Sequence, residues 1–426
     1  MTRIRMAAVD AAWLHMDRSV NELIVNAVLW FTEPLDDDVV REAIEKRLVA
    51  SHPRFAQRVD DRGTAAWWVP VPDFDAMAQV TREQLAEPGD LAALTRHVSR
   101  IASTPLPRDR PLWRVHVVDG YLGGTALVAR MHHCIADGVA LFRVLLSLSD
   151  EAQDGGLGAP QPAQHVAAHT PLQRAGYLAV GGAKAVRSTV ALVGLPPDRR
   201  TSLRTQLTTA KTVRWSAPLP LEQVKVAARA SGATINDVVL AALSAALRRH
   251  LADRDGPERD VRAVLPVNLR PLDRAEVELG NRFGLVFLKL PVTTVDAAER
   301  IATIRRRTAA LKRSATAPVA LGILRLVGYA PRRVVGVVID IFSSKGSLVV
   351  TNVPGPRHVL HLAGRQVAGV IAWPPQSGSL GVGVSIISYA GSVVLGVMSD
   401  DRALPDPDGL LTDLCTELEA LGANLR

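Results

Sequence analysis

The sequence predicts a mixed α/β protein made of two halves of similar character. Three observations carry this. The chain has 426 residues, 48% of them hydrophobic, which exceeds one ordinary core and suits two domains of about 200 residues each. Strand-like and helix-like periodicities alternate in both halves. Between them, residues 152–170 are rich in Gly, Pro and Ala, the composition of a linker. The expected division is residues 1–151, a linker with an amphipathic helix over 152–211, and residues 212–426.

In the first half, apolar residues 23–31 read as a strand. Asp36, Asp37 and Asp38 then open a helix to about residue 50, with acids at its positive end. Short strands are expected over 55–59 and 66–69, a helix over roughly 81–101, strands over 113–118 and 125–131, and a helix over 138–148. In the second half, helices are expected over 221–230, 235–251 and 295–313. Strands are expected over 261–266, 283–290, 348–351, 381–388 and 393–398. Two further apolar stretches, 171–194 and 318–342, carry arginines such as Arg187, Arg325, Arg332 and Arg333. They either pack as ordinary amphipathic helices or dock on a membrane, apolar faces inward and arginines at the headgroups.

Composition excludes several classes. Two cysteines, Cys134 and Cys415, rule out a disulfide framework and a Cys-rich zinc module. Residues 1–6 lack an apolar run, so no secretory signal is expected. No stretch of 18 apolar residues exists, so no transmembrane span is expected. The net charge of +8 suits anionic lipid, phosphorylated cofactors or nucleic acid, but 4% aromatics and dispersed basic residues disfavour nucleic acid. There is no Gly-x-Ser-x-Gly elbow, no metal-ligand spacing and no Walker-type phosphate loop.

The feature that carries chemistry is His132-His133-Cys134-Ile135-Ala136-Asp137-Gly138, directly after a strand-like run. The pattern His-His-x-x-x-Asp-Gly arises by chance in roughly one chain in a thousand of this length. Side chains alternate along a strand, so His133 shares a face with Leu127, Ala129 and Met131. His132 lies on the other face with Val128 and Arg130, and is read as packed and hydrogen-bonded. Asp137 suits a helix N-cap, and Gly138, lacking a Cβ, lets backbone or ligand come close. Cys134 reads as buried and inert.

Further motifs follow in order: Val9 to Leu14, Pro111-Leu112-Trp113, Asn236-Asp237, Leu265 to Pro271, Gly280-Asn281-Arg282-Phe283-Gly284 and Thr351-Asn352-Val353-Pro354-Gly355-Pro356. With the histidine motif, they make the chain resemble the bacterial wax ester synthase/acyl-CoA:diacylglycerol acyltransferase family, among the chloramphenicol-acetyltransferase-like CoA-dependent acyltransferases. The resemblance covers nearly the whole chain. It implies two αβ sandwich domains with mixed sheets and a tunnel at their junction. It implies transfer of a fatty acyl group from acyl-CoA, as cosubstrate, to diacylglycerol or a long-chain alcohol, with no bound cofactor and no metal. It also implies a cytoplasmic protein peripherally associated with the inner face of the membrane or with lipid droplets.

On this reading His133 Nε2 is the general base, with Nδ1 held by an acceptor. Asn268, Gln376 and Ser377 are equal candidates to stabilise the oxyanion or hold the acceptor. Asp137 gives structural support, paired in bidentate fashion with Arg270. Asn236 and Asp237 either cap a helix or line the tunnel. Pro354 and Gly355 form a turn first, where Gly355 also admits a pantetheine arm. Trp113 reads as core. Two rivals remain: a condensation-type catalyst using carrier-protein thioesters, and a lipid-droplet scaffold with a vestigial site.

Overall fold

A computed structural model describes residues 3–63, 65–153, 185–255, 259–270 and 279–424. Two large mixed sheets dominate. The first runs His361–Leu362, Arg365–Trp373, Ile24–Phe31, Gly124–His132, Trp113–Tyr121, Val80–Gln84. The second runs Phe283–Leu290, Val261–Asn268, Leu348–Pro354, Val382–Tyr389, Ser392–Asp400, Lys211–Trp215, with Leu219–Pro220 beside Ser392–Asp400. A small third sheet joins Ile4–Arg5, Trp67–Pro70 and Gln57–Asp60.

One strand crosses the expected division. Arg365–Trp373, from the 212–426 segment, pairs antiparallel with Ile24–Phe31 in the first sheet, from Val367 on Phe31 to Trp373 on Asn26. The second half therefore completes the first sheet. A bulge at Gly369 lets the strand pass Trp30, whose ring would lie 2.0 Å from any Cβ there.

Other departures have local causes. The stretch 81–101 is not one helix: Val80–Gln84 is a strand, Pro88 and Gly89 interrupt, and Leu91–Ala102 starts at Asp90, which accepts from the Ala93 N–H at 2.8 Å. Residues 55–59 begin as the 3-10 turn Pro53–Ala56 before the strand Gln57–Asp60. The stretch 318–342 is two helices, Thr316–Val327 and Arg332–Ser343, divided ahead of Pro331. Most of the expected helix over 171–194 lies outside the described residues, and 185–193 is helical. An unexpected last helix, Pro407–Asn424, buries Leu410, Leu414, Leu418 and Leu421 in the second core.

The second sheet has two apolar faces. Val261, Ala263, Leu288, Leu290, Leu348 and Val350 pack beneath the helix Ile235–Asp255, in which Val238 to Leu243 are fully buried. A helix apolar on every side belongs inside a core. It forms a bent pair with Leu221–Ala230, and no single helix among the described residues is long and apolar enough to cross a membrane. The other face, with Val264, Phe283, Leu285 and Val349, turns toward the first half. The site forms there.

Candidate active site

The strand Gly124–His132 ends at the motif, and the chain turns before the helix Gly138–Leu146. The turn is pinned by backbone bonds: the His133 N–H donates to Leu23 O at 2.7 Å, and the Ile135 N–H to His132 O at 3.0 Å. From the second half, Asn281 Nδ2 donates to His133 O at 2.8 Å and to Asp10 Oδ1 at 2.9 Å. The His133 ring lies between Trp13, centroids 4.6 Å apart, and Phe283, at 5.3 Å. Its Nδ1 is buried with no partner among the described residues, contrary to the expected acceptor. Burial pushes the imidazole below its ordinary pKa, against the opposing pull of the Asp137 charge.

Asp137 links the two halves. Its Oδ1 accepts from the Ala140 N–H at 3.0 Å, capping the helix. Its Oδ2 takes Arg270 Nε at 3.2 Å, Arg270 Nη2 at 2.9 Å and the Arg282 N–H at 3.0 Å. Arg270 thus converges on one oxygen, not the two-oxygen fork suggested by sequence, because the cap occupies the other. Arg270 also donates to Gly280 O. Gly280, at φ +97, pairs with Ala136 and requires the left-handed backbone that glycine tolerates.

His132 faces away. Its Nδ1 accepts from the Cys134 N–H at 3.1 Å, so the ring proton sits on Nε2 and is directed at Asp17 Oδ2, 2.8 Å away. Arg108 pairs with the same carboxylate.

His133, Asp137 and Gly138 line a cavity between the halves of about 1410 Å³, counted to its open mouth. Its walls are chiefly apolar, from Trp13 and Val25 through Phe142 to Phe283, Leu324 and Trp373. A Cβ on Gly138 would meet nothing within 4 Å, so that corner opens into space. A largely neutral imidazole on an apolar wall, with room beside it, can accept a proton from a bound hydroxyl.

The family profile described as the wax ester synthase/diacylglycerol acyltransferase catalytic domain matches residues 6–218, and its C-terminal domain matches 279–422. The chain belongs to the wax ester synthase/diacylglycerol acyltransferase family. It is, by that membership, an acyltransferase. It is 27% identical to a "probable diacylglycerol O-acyltransferase" of Mycobacterium tuberculosis, over 94% of this chain and 92% of that one. The structure is similar to the wax ester synthase/diacylglycerol acyltransferase from Marinobacter aquaeolei, with TM-score 0.71 and 23% identity, covering 99% of this chain and 100% of that one. It is also similar to the first condensation domain of the calcium-dependent antibiotic synthetase, with TM-score 0.66 and 20% identity, covering 100% and 98%.

Not every residue singled out by sequence reaches the cavity of this acyltransferase. Asn268 and Ser377 line it; Asn268 Oδ1 accepts from the Arg270 N–H at 2.9 Å, and Ser377 Oγ is buried with no partner among the described residues. Gln376 points elsewhere, its Nε2 committed to Gly381 O at 3.0 Å and Met398 O at 2.7 Å. Asp237 is a helix-start residue: Oδ2 accepts from the Thr234 N–H and hydroxyl, and Oδ1 from the Thr308 hydroxyl. Asn236 meets Asn352 at 3.4 Å and lies outside the cavity wall. Pro354 ends a strand and Gly355 follows it; the close neighbour of Gly355 is Ser388 O, 2.4 Å from where a Cβ would sit. Trp113 is core, donating to Phe55 O at 2.7 Å. Sequence reasoning assigned no role to Trp13, Phe283 or Asn281, although each stands inside a motif that carried the resemblance.

Proposed function

We propose that this chain transfers a long-chain fatty acyl group from acyl-CoA to diacylglycerol, giving triacylglycerol, through a ternary complex with His133 as general base. The observation that supports it best is the His133 ring on the wall of a large apolar cavity between the halves. The name of its Mycobacterium tuberculosis relative points to the same acceptor, and the family name includes it beside wax ester synthesis. His133 Nε2 removes the acceptor hydroxyl proton as its oxygen attacks the thioester carbonyl. The C–S bond then breaks, and the proton passes to the departing CoA thiolate. No acyl-enzyme is needed. Ser377, whose hydroxyl has no hydrogen-bond partner among the described residues, is the proposed oxyanion donor, and Asn268 lines the same cavity. The test is CoA release from palmitoyl-CoA with diacylglycerol and hexadecanol offered in parallel. Turnover with hexadecanol alone would replace this reading by wax ester synthesis. Turnover only with carrier-bound acyl groups would replace it by a condensation-type reaction.

The base has a pH signature. Its lowered pKa keeps the ring neutral as pH falls through the usual histidine value of about 6.5. The acid limb of kcat/KM is therefore expected below that value. A limb at or above it would remove His133 from this role.

We further infer that the enzyme works at a lipid surface. On the helix Arg332–Ser343, Val334, Val337 and Ile341 are exposed at 47%, 59% and 54%, spaced along one face. Val338, Ile339 and Phe342 of the same helix line the cavity. Arg325 and Arg333 stand exposed nearby in sequence, suited to anionic headgroups. Val334→Asp with Val337→Asp is expected to lower co-sedimentation with anionic vesicles about tenfold or more. Unchanged sedimentation would end the docking assignment.

A further inference from the structure

The cavity has a direction that the register reveals. Phe283–Leu290 pairs antiparallel with Val261–Asn268, setting Phe283 opposite Asn268, Leu285 opposite Pro266 and Phe287 opposite Val264. Alternation puts Phe283, Leu285 and Phe287 on one face. Their neighbours Val286, Leu288 and Leu290 are buried on the other. Phe283 marks the reactive end, against the His133 ring. Phe287 lies four residues on, roughly 14 Å away at about 3.4 Å per residue.

Two aromatic rings stand at that far end. The Phe287 and Phe342 rings meet at 5.1 Å between centroids, and Phe342 lines the cavity. Val264, Val349 and Leu380 form a separate small apolar cluster there, with Leu285 and Phe287 packed on it. Gly346 packs against Val264 and Phe287: a Cβ on it would meet Val264 at 2.6 Å and Phe287 at 3.6 Å. Among the described residues, no charged side chain lines the stretch from Phe283 to Phe342.

We propose that Phe342, braced by Phe287, is the stop that sets the length of hydrocarbon chain the cavity accepts. This rests on the acyl-transfer reading above. A methylene that lies along apolar wall gains roughly fourfold in kcat/KM, and one that meets the ring must fold back or leave. Removing the benzyl group frees about one ring depth. That is room for about four carbons at roughly 1.3 Å each, for an extended chain of ~1.5 Å C–C bonds.

The test measures kcat/KM across saturated acyl-CoAs from octanoyl to eicosanoyl with one acceptor, and across alcohols of the same range with one acyl-CoA. In one of the two series, Phe342→Ala is expected to move the optimum about four carbons longer. Leu285→Trp, nearer His133, is expected to move it shorter in that same series. Folding is checked by melting temperature. A folded pair of variants with unchanged profiles in both series overturns the stop. Chain binding is read separately, as tryptophan fluorescence during titration with fatty acids of increasing length, since Trp13 and Trp373 line the cavity. Wild-type protein that shows the length cut-off in binding yet releases no CoA would overturn acyl transfer and support the stop.

Discussion

Replacing His133 by alanine is expected to lower turnover about a hundredfold or more while leaving the protein folded. General-base assistance typically contributes about 10²–10⁴ in rate, or roughly 3–5 kcal/mol of barrier. The fold should tolerate the change because the ties that hold the corner do not run through the ring nitrogens, although the ring packs between Trp13 and Phe283. Its Nδ1 has no partner among the described residues, and the ties at position 133 run through the backbone, from its N–H to Leu23 O and from Asn281 to its carbonyl. Alanine keeps both. His132→Ala provides the contrast. It strips a partner from Asp17, a nearly buried carboxylate, and should cost stability more than turnover. CoA release from palmitoyl-CoA with diacylglycerol, alongside a thermal melt, measures both. A folded His133→Ala enzyme with near-normal turnover would take the proton-accepting role away from this ring.

What the sequence revealed and what it hid follow from the range of the interactions. The corner was legible because it is local: a strand, two histidines on opposite faces, and a capping Asp before an apolar helix all lie within 23 residues, from Gly124 to Leu146. Arg270 was reachable across 133 positions because a buried carboxylate needs a cation, and few arginines sit in such an apolar segment. The cage around the ring was not legible. Trp13 and Phe283 come from different elements, and only tertiary packing brings them together. The strand Arg365–Trp373 escaped notice because Gly369 interrupts its alternation, and its partner lies over 300 residues earlier in the chain. Gln376 and Ser377 show the same limit at one-residue scale. Adjacent side chains diverge, and without the path of the backbone nothing says that Ser377 faces the cavity while Gln376 bonds Gly381 and Met398.

Asp137→Asn is expected to destabilise the protein by about 3–5 kcal/mol and to lower kcat with it. The asparagine oxygen can still cap Ala140, so the helix start survives. What is lost is the counter-ion of Arg270, whose side chain is only 9% exposed. A buried guanidinium facing a neutral amide loses the charge that offset its desolvation at this contact, and that loss exceeds the worth of one hydrogen bond. The position matters as much as the energy. Asp137 belongs to the first half, and Arg270 and the Arg282 N–H to the second, so this carboxylate ties the seam beside the cavity, as Asp10 does through Asn281. Loosening it should shift the His133 corner relative to Phe283 and Asn281, giving a fall in kcat larger than any change in KM. Asp137→Asn combined with Arg270→Met separates the two effects. Removing both charges should restore much of the stability, since the buried cation is gone, and should leave turnover low, since the seam is still untied. Urea melts and CoA release for the two single variants and the double give the coupling energy directly. A near-zero coupling, or an Asp137→Asn protein as stable as the parent, would mean that the pair contributes nothing to holding the halves at the site.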